Sequence, residues 1–237
     1  MDDQELTRVL TDIYRRLFTR YGPQHWWPAR TPFEVIVGAI LTQSAAWANV
    51  EKAIEKLRNA GKLSPEALRR LPEAELAGLI YSCGYYNVKA RKLKAFAAWL
   101  GEQCGDNLDR LFARDTADLR QKLLAVYGIG EETADSILLY AGYKPIFVID
   151  AYTRRIFDRL GMSPARQSYA DYQAIFMSHL PAGAGLFNEY HALLVHLAKE
   201  VCRKQPRCGQ CCLNPAIKAV SHSAGGRFPC AGLIRKL

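Results

Sequence analysis

Apolar residues recur along most of this chain at spacings of three and four, the repeat that lays them on one face of an α-helix. Phe33, Val35, Ile36, Ile40 and Leu41 form one such set, Leu93, Phe96, Ala97 and Leu100 a second, and Leu193, Leu194 and Leu197 a third. Period-two alternation is scarce. The run Ile146-Phe147-Val148-Ile149 has strand character, but it is short and solitary, too little to build a sheet. The pattern predicts an all-α protein whose short connections carry Gly or Pro. An irregular tail is expected from Asn214 to Gly232, where small residues gather. Two stretches read alike as helix, tight glycine turn, helix: one turns at Gly84 and runs on past Ala90, the other turns at Gly128 and runs on past Ala134.

Composition narrows the class. At 237 residues and 49 % hydrophobic content, the chain has material for one large or two small cores. A formal net charge of +9 suits a polyanion or an anionic membrane, and a basic solubilising surface gives the same count. No apolar run approaches the ~20 residues needed to span a bilayer. The acidic start Met1-Asp2-Asp3-Gln4-Glu5 has no apolar core of a secretory signal. Of the 7 cysteines, Cys83 and Cys104 stand alone and read as core thiols. Cys202, Cys208, Cys211, Cys212 and Cys230 crowd the end of the chain, and without a signal they do not read as a secreted disulfide framework.

Chemistry enters at two places. Gly128-Ile129-Gly130-Glu131-Glu132-Thr133-Ala134 joins two predicted helices. Two glycines around one apolar residue allow backbone N–H groups to face outward at a helix start, a setting for phosphate. Alone, the segment reads equally as an ordinary helix–helix turn. Downstream, a helix over Ser136–Tyr140 leads through Gly142 and Pro145 to Asp150, which follows four apolar residues and precedes a helix from Tyr152 to Leu160. Alone, Asp150 reads as an N-cap. The cysteines Cys202-x5-Cys208-x2-Cys211 close a helix at a spacing from which three thiolates can converge on an iron–sulfur cluster or on zinc.

Taken together, the hairpin, the Gly/Pro loop and the following aspartate resemble the helix-hairpin-helix, Gly/Pro-Asp superfamily of DNA glycosylases, typified by endonuclease III. The resemblance covers nearly the whole chain and implies a two-lobed helix-hairpin-helix glycosylase fold with a C-terminal cysteine-ligated cluster loop. The central helical domain would take residues 28–140 and the second lobe 1–27 plus 141–237. Asp150 would be catalytic, its carboxylate stabilising an oxocarbenium-like sugar or activating water. Gln43, in Leu41-Thr42-Gln43, would enter the DNA opposite the extruded base. Tyr86, Asn87 and Lys89, in the turn Gly84–Ala90, and Gly128, Ile129, Gly130 and Thr133, in the hairpin, would meet the backbone, with a monovalent cation expected at the hairpin. Lys89, Arg91, Lys92 and Lys94, with Arg154 and Arg155, would make a basic DNA face.

Bifunctional members of that superfamily carry a lysine where this chain has Glu132, and a carboxylate cannot form an imine. The resemblance therefore implies a monofunctional enzyme of base excision repair, a hydrolase of N-glycosyl bonds without lyase activity. Trp26, Trp47, Pro28 and Glu132 look like the base pocket of the endonuclease-III-like 3-methyladenine glycosylases, which grips a cationic N-alkylated purine between aromatic faces. Core packing is the plainer role for those tryptophans. Cys202, Cys208, Cys211 and Cys230 would hold a [4Fe–4S] cluster. The first gap is one residue shorter than usual and Cys230 lies unusually far on, so Cys212 is the other candidate for fourth ligand and zinc the other metal. The partner implied is duplex DNA containing a damaged base, met by a monomer in the cytoplasm (nucleoid-associated in a prokaryote), with no membrane involved. Two other readings stand beside this one. A uracil or thymine mismatch glycosylase would use Gln43, Asn49 or His25 on a neutral pyrimidine's edge. A non-catalytic DNA-binding module with a structural metal would leave Asp150 unexplained.

Overall fold

The computed structural model describes residues 2–214, and its regular structure is helical, with no β-strand among the described residues. The chain divides into two compact units. One comprises residues 27–144, and the other the residues up to Trp26 with those from Pro145 onward.

The chain starts with α1 (Asp3–Tyr21), capped by Asp2, whose carboxylate accepts the Glu5 amide at 2.8 Å. Val9, Leu10, Ile13 and Leu17 share one face of this helix and are buried.

The 27–144 unit is built around α2 (Pro32–Leu41), which matches the first apolar set. Thr31 caps it, Pro32 opens it, and every residue from Phe33 to Leu41 is buried. One of these is a carboxylate: Glu34 survives inside because the Arg58 guanidinium lies 2.7 Å away. Around it stand α3 (Trp47–Asn59), α4 (Pro65–Arg70), α5 (Glu73–Leu79), α6 (Tyr86–Cys104), α7 (Leu108–Phe112), α8 (Thr116–Leu124) and α9 (Glu131–Ser136). Helices α2, α3, α6 and α9 form the centre, with α4 and α5 on α6. Lys94 of α6 is tied down there: its ammonium donates to the carbonyls of Leu68, Arg69 and Leu71. The α8–α9 pair is fixed by Arg120. It reaches both oxygens of the fully buried Asp135 at 2.6 and 3.1 Å, and it also lies 3.7 Å from the Glu131 carboxylate. Beyond α9 the helix widens into a π turn at Ile137–Ala141, where an ordinary α-helix over Ser136–Tyr140 was expected. Turns of this kind occur frequently at functional sites, and the Tyr140 ring here packs on Trp27 at 5.2 Å.

The other unit adds α10 (Ala151–Leu160), α11 (Tyr169–Met177) and α12 (Ala184–Glu200) to α1. Ile146–Ile149 is extended, unpaired and wholly buried. Its Phe147 stacks on Phe176 at 3.7 Å and meets Phe187 and Tyr190 edge-on. Helix α12 packs against both α10 and α1, and the Tyr190 hydroxyl donates to the Leu10 carbonyl at 2.9 Å.

Arg120→Ala leaves Asp135 buried without its guanidinium and is expected to cost about 3–5 kcal/mol of stability, the range for breaking a buried pair. Arg70→Ala, at an exposed pair with Glu66, is expected to cost under ~0.5 kcal/mol. Urea denaturation of the two variants checks the contrast.

Candidate functional site

Between α8 and α9 the chain turns at Gly128, whose φ of 81° suits glycine. Ile129 is buried and its amide donates to the Val126 carbonyl at 3.1 Å, so the apolar residue anchors the turn as its type suggests. Gly130 occupies the N-cap position of α9, where no side chain caps the helix. Gln43, expected to enter DNA, rests against the hairpin in the chain without DNA. Its amide nitrogen donates to the Gly128 carbonyl at 3.0 Å and to the Thr133 hydroxyl at 2.9 Å, while its oxygen accepts the Lys92 ammonium at 2.5 Å. The Lys92 stem lies against Gly128, so closely that a Cβ there would come within 2.3 Å of it. The hairpin, the segment after α2 and α6 are thus joined by one polar network.

The second turn has the left-handed Gly84 (φ 63°) followed by Tyr85 (φ 47°). Tyr85 is 73 % exposed, a large apolar ring held out in a conformation uncommon for its type. Sequence reasoning did not select it. Tyr86 stacks on Tyr81 at 4.7 Å, and Asn87 is exposed. Lys89 corrects an expectation: only 2 % of it is exposed, and its ammonium turns inward to the Cys83 carbonyl at 2.7 Å. Burial pushes its pKa down. The helical register of α6 places Lys89 on the core side, between Tyr86 and Leu93, so it cannot offer its charge to a phosphate. The basic face thins elsewhere too. Lys94 serves carbonyls of its own unit, Arg154 donates to the Gln167 carbonyl, and Arg155 donates to those of Ala198 and Cys202.

Of the expected pocket residues, Pro28, Trp47 and Glu132 belong to the 27–144 unit and Trp26 to the other. Trp47 meets the neighbouring tryptophan: Trp27 lies edge-on to it at 5.2 Å and also against Tyr140. Gly38 gives this indole its room, since a Cβ there would stand 3.2 Å from the ring. Trp26 carries the Lys199 ammonium 5.7 Å from its ring centre. Pro28 and Glu132 are exposed.

Asp150 caps α10, and its Oδ1 accepts the Thr153 amide at 2.7 Å. Its Oδ2 lies 3.6 Å from Nε2 of His191 on α12, and both side chains are nearly buried, 13 % and 7 % exposed. Sequence reasoning missed His191, which no motif near Asp150 announces. Burial pushes the Asp150 carboxyl up. The charge of His191 and the Thr153 amide more than offset it, holding the carboxyl below its ordinary range. The sign follows: this stabilisation is present above the ordinary carboxylate range and is lost as pH falls through the lowered value.

Cys202 and Cys211 are buried, and Cys208 is half-buried. They share a loop drawn together by Arg159, which donates to the carbonyls of Cys202, Arg203 and Lys204 and lies 3.3 Å from the Cys202 sulfur. The Asn214 amide ties the loop's end to the Cys208 carbonyl at 3.0 Å. Thiols on a short loop beside a guanidinium suit a thiolate-bound metal in donor chemistry. Among the described residues no three His, Cys, Asp or Glu side chains are grouped closely enough to hold a metal ion. Cys230 lies outside the described residues. No helix of the described residues is long and apolar enough to cross a membrane.

Comparison with known proteins places these features. A family model described as "HhH-GPD superfamily base excision DNA repair protein" matches residues 37–182. A protein of Methanocaldococcus jannaschii, named provisionally as a DNA repair glycosylase, is 44 % identical over 204 residues, covering 86 % of this chain and 93 % of that one. Among solved structures, the H. pylori 3-methyladenine DNA glycosylase bound to 1,N6-ethenoadenine superposes with a TM-score of 0.68 at 25 % identity, covering 84 % of this chain and 98 % of that one. A non-covalent endonuclease III–DNA complex superposes at 0.73 with 23 % identity, covering 92 % and 94 %, a likeness of fold.

Gly128→Ala forces a left-handed alanine, about 1–2 kcal/mol of strain, and displaces Lys92 from Gln43. It is expected to weaken duplex DNA binding and to flatten the plot of log affinity against log salt by about 0.9 for each phosphate the variant no longer neutralises. Fluorescence anisotropy over a salt series reads both effects.

Proposed function

From a chain that belongs to the HhH-GPD superfamily of base excision DNA repair proteins, we propose a monofunctional glycosylase that excises an N-alkylated purine such as 3-methyladenine, with Asp150 as its catalytic group. The observation that carries the reading is Asp150 itself, a nearly buried carboxylate kept ionised at the start of α10. Cleavage breaks the C1′–N bond. The electron pair leaves with the base and cancels the positive charge that alkylation put there, and positive charge builds on the sugar. The Asp150 carboxylate stabilises that charge. Water adds at C1′ and gives up its second proton to solvent. A base that departs neutral needs little acid assistance.

Two further features support the reading. Glu132 stands where a lyase has its lysine, so water is the acceptor. Trp47 and Trp27 offer aromatic faces to a cationic base, and the solved 3-methyladenine glycosylase that this chain resembles holds a modified adenine. The test is a panel of duplexes carrying 3-methyladenine, 7-methylguanine, hypoxanthine, uracil or a G·T mismatch. Release of alkylated purines is expected, Asp150→Asn is expected to lose at least ~10³-fold in single-turnover rate, the scale of losing a central electrostatic group, and borohydride is expected to trap no covalent adduct. Activity confined to uracil and G·T would move the chain to the mismatch enzymes. Near-normal turnover by Asp150→Asn would remove Asp150 from the chemistry.

We also propose that Cys202, Cys208 and Cys211, with Cys230 as fourth ligand, hold a [4Fe–4S] cluster. Its contribution would be structural, fixing the loop that carries Arg203, Lys204 and Arg207. Anaerobically purified protein is expected to be brown, with broad visible absorption, iron and acid-labile sulfide. Stoichiometric zinc in their place would change the metal, and neither metal would leave these cysteines as plain thiols.

A further inference from the structure

We propose that His191 is the positioning residue for Asp150, holding the carboxylate in place and ionised. The proposal rests on the reading of Asp150 as the catalytic group. It begins from a problem of physical chemistry. A carboxylate 13 % exposed tends to take up a proton, since burial penalises its charged form. A protonated Asp150 could neither stabilise an oxocarbenium ion nor cap α10 well. The Thr153 amide serves one oxygen at 2.7 Å. The other faces Nε2 of His191 at 3.6 Å. In its charged form the imidazole supplies an opposite charge, and in the tautomer protonated at Nε2 it still supplies a donor.

The surroundings hold the ring in this role. His191 lies in the middle of α12, flanked by the buried Tyr190 and Ala192, and is itself buried. The Phe147 ring stands edge-on to it, 6.3 Å between centres, limiting its rotation. Phe147 and Asp150 leave the same short extended segment, so the segment that presents the carboxylate also packs against its partner. Within this unit, the titratable groups placed at the carboxylate are His191 from α12 and Tyr169 from α11. The Tyr169 oxygen accepts the Ile149 amide at 3.2 Å, fixing the backbone one residue before Asp150. The nearby cations of α10, Arg154 and Arg155, are directed to the carbonyls of Gln167, Ala198 and Cys202. Beside the Thr153 side chain, His191 is thus the side chain placed on Asp150 that can bring a charge.

The test pairs a titration with a rate. In full-length protein, the Asp150 side-chain carboxyl is followed by carbon NMR, assigned by its absence in Asp150→Asn. His191→Leu removes charge and donor, and His191→Gln keeps a donor near Nε2 without charge. The Asp150 carboxyl is expected to titrate at higher pH in both variants than in the parent, furthest in the Leu variant. The acid limb of single-turnover base release, on the best duplex of the panel, should move with it. At neutral pH the Leu variant should lose roughly 10- to 100-fold in rate, the scale of a hydrogen bond to a charged group, and the Gln variant less, with duplex affinity unchanged. A carboxyl that titrates alike in all three proteins overturns the proposal. So does a carboxyl that moves while the acid limb stays put. Full activity of Asp150→Asn is a different result: it ends the catalytic reading of Asp150, while the NMR titration still decides whether His191 holds the carboxylate. If the Leu variant does not fold, the Gln variant alone decides the same questions by the same two measurements.

Discussion

The Asp150 carboxylate sits almost out of solvent, and a negative charge there persists only if the fold brings it partners. Much of the unit that contains it serves this need. The Thr153 amide is available because α10 begins at Asp150, and His191 is available because α12 packs along α10. Helix α12 is in turn tied to α1 through the Tyr190 hydroxyl on the Leu10 carbonyl. Helices α1 and α12 therefore meet around a segment, Ile146–Ile149, that forms no sheet and is buried. Phe147 fills the core, Ile149 is pinned through its amide, and Asp150 emerges at the end.

The hairpin shows the same economy by different means. Its turn needs a left-handed residue, an apolar anchor and a helix start, which Gly128, Ile129 and Gly130 provide. What keeps the turn rigid comes from elsewhere in its unit. Arg120 locks α8 to α9 through Asp135, and Gln43 grips the turn's carbonyl while Lys92 grips Gln43. A rigid turn presents its amides without an ordering cost at the moment of binding. The consequence for Gln43 is specific. In the free chain its side-chain amide already has three partners, so inserting it into DNA means exchanging all three.

Local features were legible in the sequence, and distant ones were not. The apolar period marked α2 through Phe33, Val35, Ile36, Ile40 and Leu41, while the burial of its other side, Glu34 included, left no such trace. Asp150 before an apolar-patterned helix announced an N-cap, and an N-cap was found. The two glycines announced the hairpin. Lys89 is misread from sequence because a lysine beside a turn looks solvated. Its inward direction depends on which side of α6 faces the core, and a buried carbonyl of Cys83 waits there. Trp27 escapes notice beside Trp26 because adjacent residues point to different surroundings and sequence order does not say which meets Trp47. His191 was invisible for the plainest reason. Its partner lies on another helix, and a lone histidine in an apolar stretch carries no signal of what it faces.

The arrangement of polar and aromatic groups bears on the proposed choice of base. A neutral pyrimidine must be recognised along its edge, and the discrimination comes from donors and acceptors left free to meet it. Gln43 was one of the candidates for that work, and its amide is met by Gly128, Thr133 and Lys92. Asn49 offers its main-chain carbonyl to Ser82 and Cys83. An N-alkylated purine asks for less along its edge. Its positive charge is attracted to ring faces, and the 27–144 unit supplies faces whose orientation is fixed. Trp27 is wedged over Gly38, with Trp47 at its edge and Tyr140, within the π turn, beside it. Such a base also leaves neutral, so the proposed chemistry needs no acid, only a carboxylate that stays charged. Asp150 meets that requirement, because its partners lower its pKa when burial alone would raise it.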